Sequence, residues 1–158
     1  MSGPRVFIDK ATPSAYGALT AVSTAVAQAW ADAGLTPAQI ELLNMRCSQI
    51  NGCGFCLSLH AERALHAGVT QQQLAVLPAW REARELFDDV TTALLETAEL
   101  VTELQGEDTA DLAYDRAGDV LTEEQMSVAI WAAITIGAFN RVSILSRHHV
   151  RARVWRLP

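Results

Sequence analysis

Positive charge is scarce in this sequence. Eleven arginines and a single lysine stand against eighteen carboxylates, and the formal net charge is −6. That balance argues against nucleic acid as the main partner, because phosphate contacts need an excess of Lys and Arg. Long apolar runs are missing too. The longest, MSVAIWAAITIGAF from Met126 to Phe139, falls short of the roughly 18–20 residues that a bilayer span takes. No charged-then-apolar leader is visible, since MSGPRVFIDKATPSAYG is mixed throughout. No membrane partner is expected, and the expected compartment is the cytoplasm. Cysteine is sparse and odd in number, at three, which suits a reducing compartment better than a secreted disulfide framework. No convincing strand, internal repeat, low-complexity tract or linker interrupts the chain.

What is present points to an all-α domain. Half of the 158 residues are hydrophobic and 19% are charged, enough for a real core and too apolar for disorder. One domain over 1–158 is expected, with an N-terminal arm at 1–13 and a basic tail at 147–158. Three times a Thr precedes a Gln by three residues at the head of an apolar-periodic run: Thr36/Gln39, Thr70/Gln73 and Thr122/Gln125. In this capping pattern each side chain satisfies a free N–H of the first turn. Pro37 suits a first helical position. Gly34, Gly68 and Gly106 fall where helices should end with a positive φ. The pattern predicts helices over 14–33, 37–50, 53–67, 71–77, 85–105, 108–117 and 123–146. "VFI" at 6–8 reads as a short extended arm, and "LPAW" at 77–80 as a kink. Ile40, Leu43, Cys47 and Ile50 form one apolar stripe, in which Cys47 is core filler. Met126 to Phe139 is apolar nearly all round, so that helix is central or shared between subunits.

Charge is unevenly placed. Twelve of the eighteen carboxylates lie between Asp88 and Glu124, and five of the eleven arginines between Arg141 and Arg156. Either these are two solvated surfaces of opposite sign, or the basic tail docks on an acidic face of the same or a neighbouring chain.

The chemistry concentrates in NGCGFCLSLH, Asn51 to His60. Asn51-Gly52 signals a turn, which puts Cys53 in the first turn of the helix that follows. Cys53, Cys56 and His60 then share one face, with His60 leaning back toward Cys56. The helix N-terminus favours a thiolate. An imidazole beside a thiol can take its proton, and two cysteines three apart can close a disulfide on oxidation. A structural zinc would need four ligands, and one pair plus one His leaves Cys47, His148 or His149 to complete the set. His66 reads as a partner of the helix C-terminal dipole. GCGFCL lacks the third Gly and the preceding strand of a dinucleotide site, and no phosphate-binding loop is present. No cofactor and no metal are therefore expected. Electrons for a redox reaction would come from a partner protein or a small thiol.

Ala38 to Gly68 resembles the core of the AhpD-like alkylhydroperoxidases, within the carboxymuconolactone decarboxylase superfamily. The pattern is a Glu, a CxxC twelve residues on, and a His four residues past the second Cys, matched by Glu41, Cys53, Cys56 and His60. SQINGC (Ser48 to Cys53), AWRE (Ala79 to Glu82) and FNR (Phe139 to Arg141) resemble further landmarks. The resemblance implies an all-α helical bundle whose subunits associate through helices, as a trimer or hexamer. It implies a thiol peroxidase in which Cys56 attacks a hydroperoxide, Cys53 resolves the sulfenic acid, and His60 with Glu41 relays the proton. A dithiol, thioredoxin-like or lipoyl reductant would restore the thiols, with Cys53 as the exposed thiol that meets it. The residues taken alone would make Glu41 a solvated position. The best-studied branch has a second histidine where this chain has Phe55. The decarboxylase branch lacks the CxxC. The alternatives are a non-redox lyase using His60 and Glu41 alone, and a zinc-binding or redox-sensing protein without turnover.

Overall fold

A computed structural model describes residues 5–104 and 106–152. Eight α-helices follow in order among them: α1 (Ile8–Ala11), α2 (Pro13–Asp32), α3 (Pro37–Asn51), α4 (Gly54–His66), α5 (Gln71–Val76), α6 (Asp89–Glu103), α7 (Glu107–Gly118) and α8 (Glu123–Ser146). There is no strand among the described residues. All three Thr/Gln pairs form reciprocal capping boxes, at the heads of α3, α5 and α8. Such a cap is worth about 1 kcal/mol, which is why the starts of these helices were legible.

Two adjoining apolar clusters make the core, and α3 and α6 feed both. One gathers Leu43, Cys47, Leu94, Ala98, Ala129 and Ala133; the other gathers Leu42, Ala64, Leu77, Trp80 and Leu95. The expected stripe on α3 buries Ile40, Leu43 and Cys47, while Ile50 is half-buried. The most enclosed helix is α6, in which every residue from Thr91 to Glu99 is buried. Its neighbour α8 is long and apolar enough to cross a membrane by length and composition, yet half of its most apolar window is buried inside this fold. It packs on α2, α3, α6 and α7 as a core helix does.

Several expectations are corrected. The arm is not extended at residue 8: Ile8–Ala11 is a helical turn, with the Ile8 N–H donating to Ser146 Oγ at 3.1 Å. The kink at 77–80 widens into a 3₁₀ stretch, Leu77–Leu86, broken at Ala79 and Ala83. The helix expected from residue 85 therefore begins only at Asp89, where the Asp88 carboxylate accepts the Thr91 N–H. Gly34 and Gly68 do have positive φ, but Gly106 does not (φ −58); Leu104 takes the left-handed position and Gly106 caps α7.

The acidic stretch 88–124 is not simply a solvated face. Glu96 and Glu99 are buried. Glu99 accepts from Arg46 Nε (2.8 Å), Trp80 Nε1 (2.8 Å) and Arg81 Nη1 (2.5 Å), while Arg116 Nε lies 3.4 Å from Glu96. The guanidinium of Arg81 also stacks over the Trp80 ring at 4.3 Å. Helices α3 and α6 and the 3₁₀ stretch are thus tied at one carboxylate. The start of the tail packs on the N-terminal arm. His148 Nε2 lies 3.3 Å from Asp9 in the arm, and its ring stacks on Phe7. Arg153 and Arg156 lie outside the described residues.

Candidate functional site

The site is built where α3 ends and α4 begins. Gly52 ends α3 in the left-handed region, at φ 69 and ψ 32, a conformation that a Cβ disfavours. The chain then reverses, and Cys53 becomes the N-cap of α4 rather than part of its first turn. Its Sγ accepts the Cys56 N–H at 3.3 Å, taking the place of the hydroxyl or carboxylate usual at an N-cap. Cys53 and Cys56 are joined as a disulfide, with their Cα atoms 5.3 Å apart.

Helix α4 carries Cys56 and His60 one turn apart on its buried face. Across from them, α3 presents Glu41, whose Oε2 lies 2.6 Å from His60 Nδ1. Glu41 is not a solvated residue: its side chain is only 15% exposed, and that of His60 8%. With Nδ1 held by the carboxylate, Nε2 is the imidazole nitrogen left to exchange protons with the thiol or a ligand. The carboxylate fixes the orientation of the imidazole from behind.

Cys56, His60 and Glu41 line one cavity of about 620 Å³. Its walls come from α1, α2, α3, α4, α8 and the residues just after α8, and mix apolar side chains, Trp30, Ile40, Ile136 and Phe139 among them, with polar ones. Cys53 does not border it. The expectation that Cys53 is the exposed thiol is corrected: it is 1% exposed and Cys56 3%. The tail passes close by, so that a Cβ on Gly54 would meet Val150 Cγ2 at 3.5 Å. Phe55, at the position of the second family histidine, packs edge-on against the His148 ring, with centroids 5.3 Å apart.

Two cavity residues escaped the sequence: Asp9 and His148. They lie 139 positions apart in the chain, so no local spacing announces them. The sequence offered His148 only as part of a basic tail or as a fourth ligand for a zinc, and Asp9 not at all.

The remaining thiol and histidine are placed as expected. Cys47 is fully buried with its Sγ 3.8 Å from the Ala98 carbonyl oxygen, and burial pushes its thiol up to about 11. It stays protonated and inert near neutral pH. His66 Nδ1 lies 2.8 Å from the Glu62 carbonyl oxygen in the last turn of α4. No group of three or more His, Cys, Asp or Glu side chains converges as a metal ligand set among the described residues.

Comparison with known proteins agrees with this fold. A Bacillus subtilis protein, the uncharacterized YdfG, is 34% identical over 104 residues, which cover 66% of this chain and 70% of that protein. A crystal structure of an Agrobacterium tumefaciens protein of unknown function, named there as a candidate AhpD antioxidant defence protein, superposes with a TM-score of 0.83 at 26% identity. That match covers 96% of this chain and all of the other. Residues 13–99 match the carboxymuconolactone decarboxylase family, and with the fold, the CxxC pair and these relatives the chain belongs to that family, in its AhpD-like form.

Proposed function

We propose that the protein is a thiol peroxidase that reduces alkyl hydroperoxides through the Cys53–Cys56 pair. The observation that carries this reading is the position of Cys56. It is the cysteine that borders the cavity, and it shares that cavity with the Glu41–His60 pair. In the reduced protein His60 takes the Cys56 proton, and the imidazolium is stabilised by Glu41. The thiolate attacks the terminal oxygen of ROOH. A sulfur–oxygen bond forms, the oxygen–oxygen bond breaks, and the alkoxide leaves as ROH once protonated. Cys53 then displaces water from the sulfenic acid and closes the disulfide. A dithiol restores the two thiols by exchange. The apolar side chains in the cavity wall suit an alkyl hydroperoxide better than a highly polar peroxide. Association as a trimer or hexamer and residence in the cytoplasm belong to the same proposal.

Steady-state peroxide reduction tests it, with dihydrolipoamide and a thioredoxin-like protein as donors. Turnover of a bulky alkyl hydroperoxide with loss of two thiols per chain is expected. The family name also admits a lyase that uses Glu41 and His60 as acid and base without sulfur chemistry. That reading wins if the Cys53→Ser/Cys56→Ser double variant keeps full turnover of a lactone substrate and the wild type reduces no peroxide.

A further inference from the structure

The cavity holds a second carboxylate–imidazole pair. His148 and Asp9 line it together with Cys56, Glu41 and His60. His148 Nε2 lies 3.3 Å from Asp9 Oδ1, with both side chains 17% exposed. The ring is fixed on two further sides, and the backbone that carries it is anchored. Its ring stacks on Phe7 at 5.8 Å, meets the edge of Phe55 at 5.3 Å, and its backbone N–H donates to the Ser143 carbonyl oxygen at 3.0 Å. Asp9 in turn sits on the turn that the Ser146 hydroxyl holds through Ile8. A surface histidine needs none of this. An imidazole with one nitrogen on a carboxylate and its ring wedged between aromatics is an oriented proton carrier.

The reaction needs such a group. This inference rests on the peroxidase reading above. Attack on a peroxide runs in line, so the departing oxygen lies on the far side of the bond from sulfur. His60 stands one turn from Cys56 on the same helix, beside the sulfur, and Glu41 stabilises it as the cation that took the thiol proton. His148 comes to the cavity from another element.

We propose that His148, oriented by Asp9, is the general acid that protonates the leaving oxygen. In the step, the Cys56 thiolate supplies the electron pair for the new sulfur–oxygen bond. The oxygen–oxygen bond breaks, and its electrons go to the alkoxide oxygen. That oxygen takes the Nδ1 proton of the His148 imidazolium and leaves as an alcohol. His148 is reprotonated from water, and the proton from Cys56 stays on the Glu41–His60 pair until the disulfide closes.

Leaving-group dependence separates this role from packing. Single-turnover loss of the Cys56 thiol is measured with tert-butyl hydroperoxide, which releases a strongly basic alkoxide, and with a peracid, which releases a weakly basic carboxylate needing no acid. His148→Gln is expected to slow the alkyl hydroperoxide by about a hundredfold or more and the peracid by less than about tenfold. His148→Phe, which keeps a ring between Phe7 and Phe55, should show the same split. Asp9→Asn should show it more weakly, and it carries the test alone if both His148 variants fail to fold. His60→Gln should slow both oxidants. Equal slowing of both oxidants by the His148 variants, or no slowing, overturns the assignment while leaving the peroxidase reading intact. A wild-type protein that neither oxidant oxidises overturns both.

Discussion

At the scale of single residues, the two cysteines divide by position. Cys53 caps α4 and receives a backbone N–H, so the helix terminus favours its thiolate. Cys56 borders the cavity one turn from His60, and on the proposed reading it is the thiol that meets the substrate. In that proposal access and the adjacent base outweigh the dipole for the first step, because a thiolate that no peroxide reaches does not react. Cys56→Ser is therefore expected to abolish peroxide reduction, an alcohol being far less ionised than a thiol. Cys53→Ser should still be oxidised once, at Cys56. With no thiol to trap the sulfenic acid, it should climb to sulfinic acid under excess peroxide. Intact mass after treatment reads this as a gain of two oxygens on Cys56. Rapid oxidation of Cys53 in the Cys56→Ser protein would reverse the roles. Cys47 does not confuse the measurement, since burial holds its thiol up at about 11.

At the scale of elements, the ties that reach across the chain were the ones hidden from the sequence. Helix starts carry local signals, and the three capping boxes gave them. Glu41, Cys53, Cys56 and His60 sit within twenty positions, so their spacing was legible. The 3₁₀ stretch was not, because its shape depends on Glu99, contributed by α6. Burial alone would raise the Glu99 carboxyl. The donors Trp80, Arg81 and Arg46 outweigh it together and hold the carboxyl below its ordinary value. A depressed carboxylate contributes stability above its unfolded value of about 4.5 and loses it as pH falls through the folded one. Glu99→Gln leaves Arg46 and Arg81 facing a neutral amide, and should cost about 2 kcal/mol or more at neutral pH. The difference from wild type should narrow at acid pH, below the depressed folded value, where both proteins carry a neutral group there. Urea unfolding at the two pH values reads it. A difference that stays constant with pH would mean that Glu99 acts through packing alone.

At the scale of the whole molecule, apolar helix surface stays exposed among the described residues. Helix α2 spans twenty residues with Asp32 as its one charged residue, and none of its residues is buried. Surface helices of a lone subunit ordinarily turn charged side chains outward. On α8, Trp131 is 53% exposed, Ile134 47% and Leu145 53%. The sequence had marked α8 as central or shared; its packing in the core bears out the first, and its exposed apolar face leaves the second as a proposal. Nothing in its periodicity could separate them, because α8 is apolar on both faces. The α2 helix also walls the cavity through Tyr16, Thr20, Ser23 and Trp30, so a neighbour on its outer face would steady one side of the site. The protein is therefore expected to associate. Light scattering at micromolar concentration should give a mass that is a multiple of the 17.1 kDa chain. Trp131→Glu places a charge in the middle of the exposed α8 face, where burial against a second chain would leave it unpaired, at a cost of several kcal/mol. It should shift the mass toward that of one chain, while in the isolated chain the half-exposed site tolerates the substitution. Val22→Glu asks the same of α2, where the side chain is 39% exposed. Dissociation by one variant and not the other identifies which helix meets the neighbour. A wild-type mass of 17.1 kDa, unchanged by either substitution, would mean that these faces meet only water.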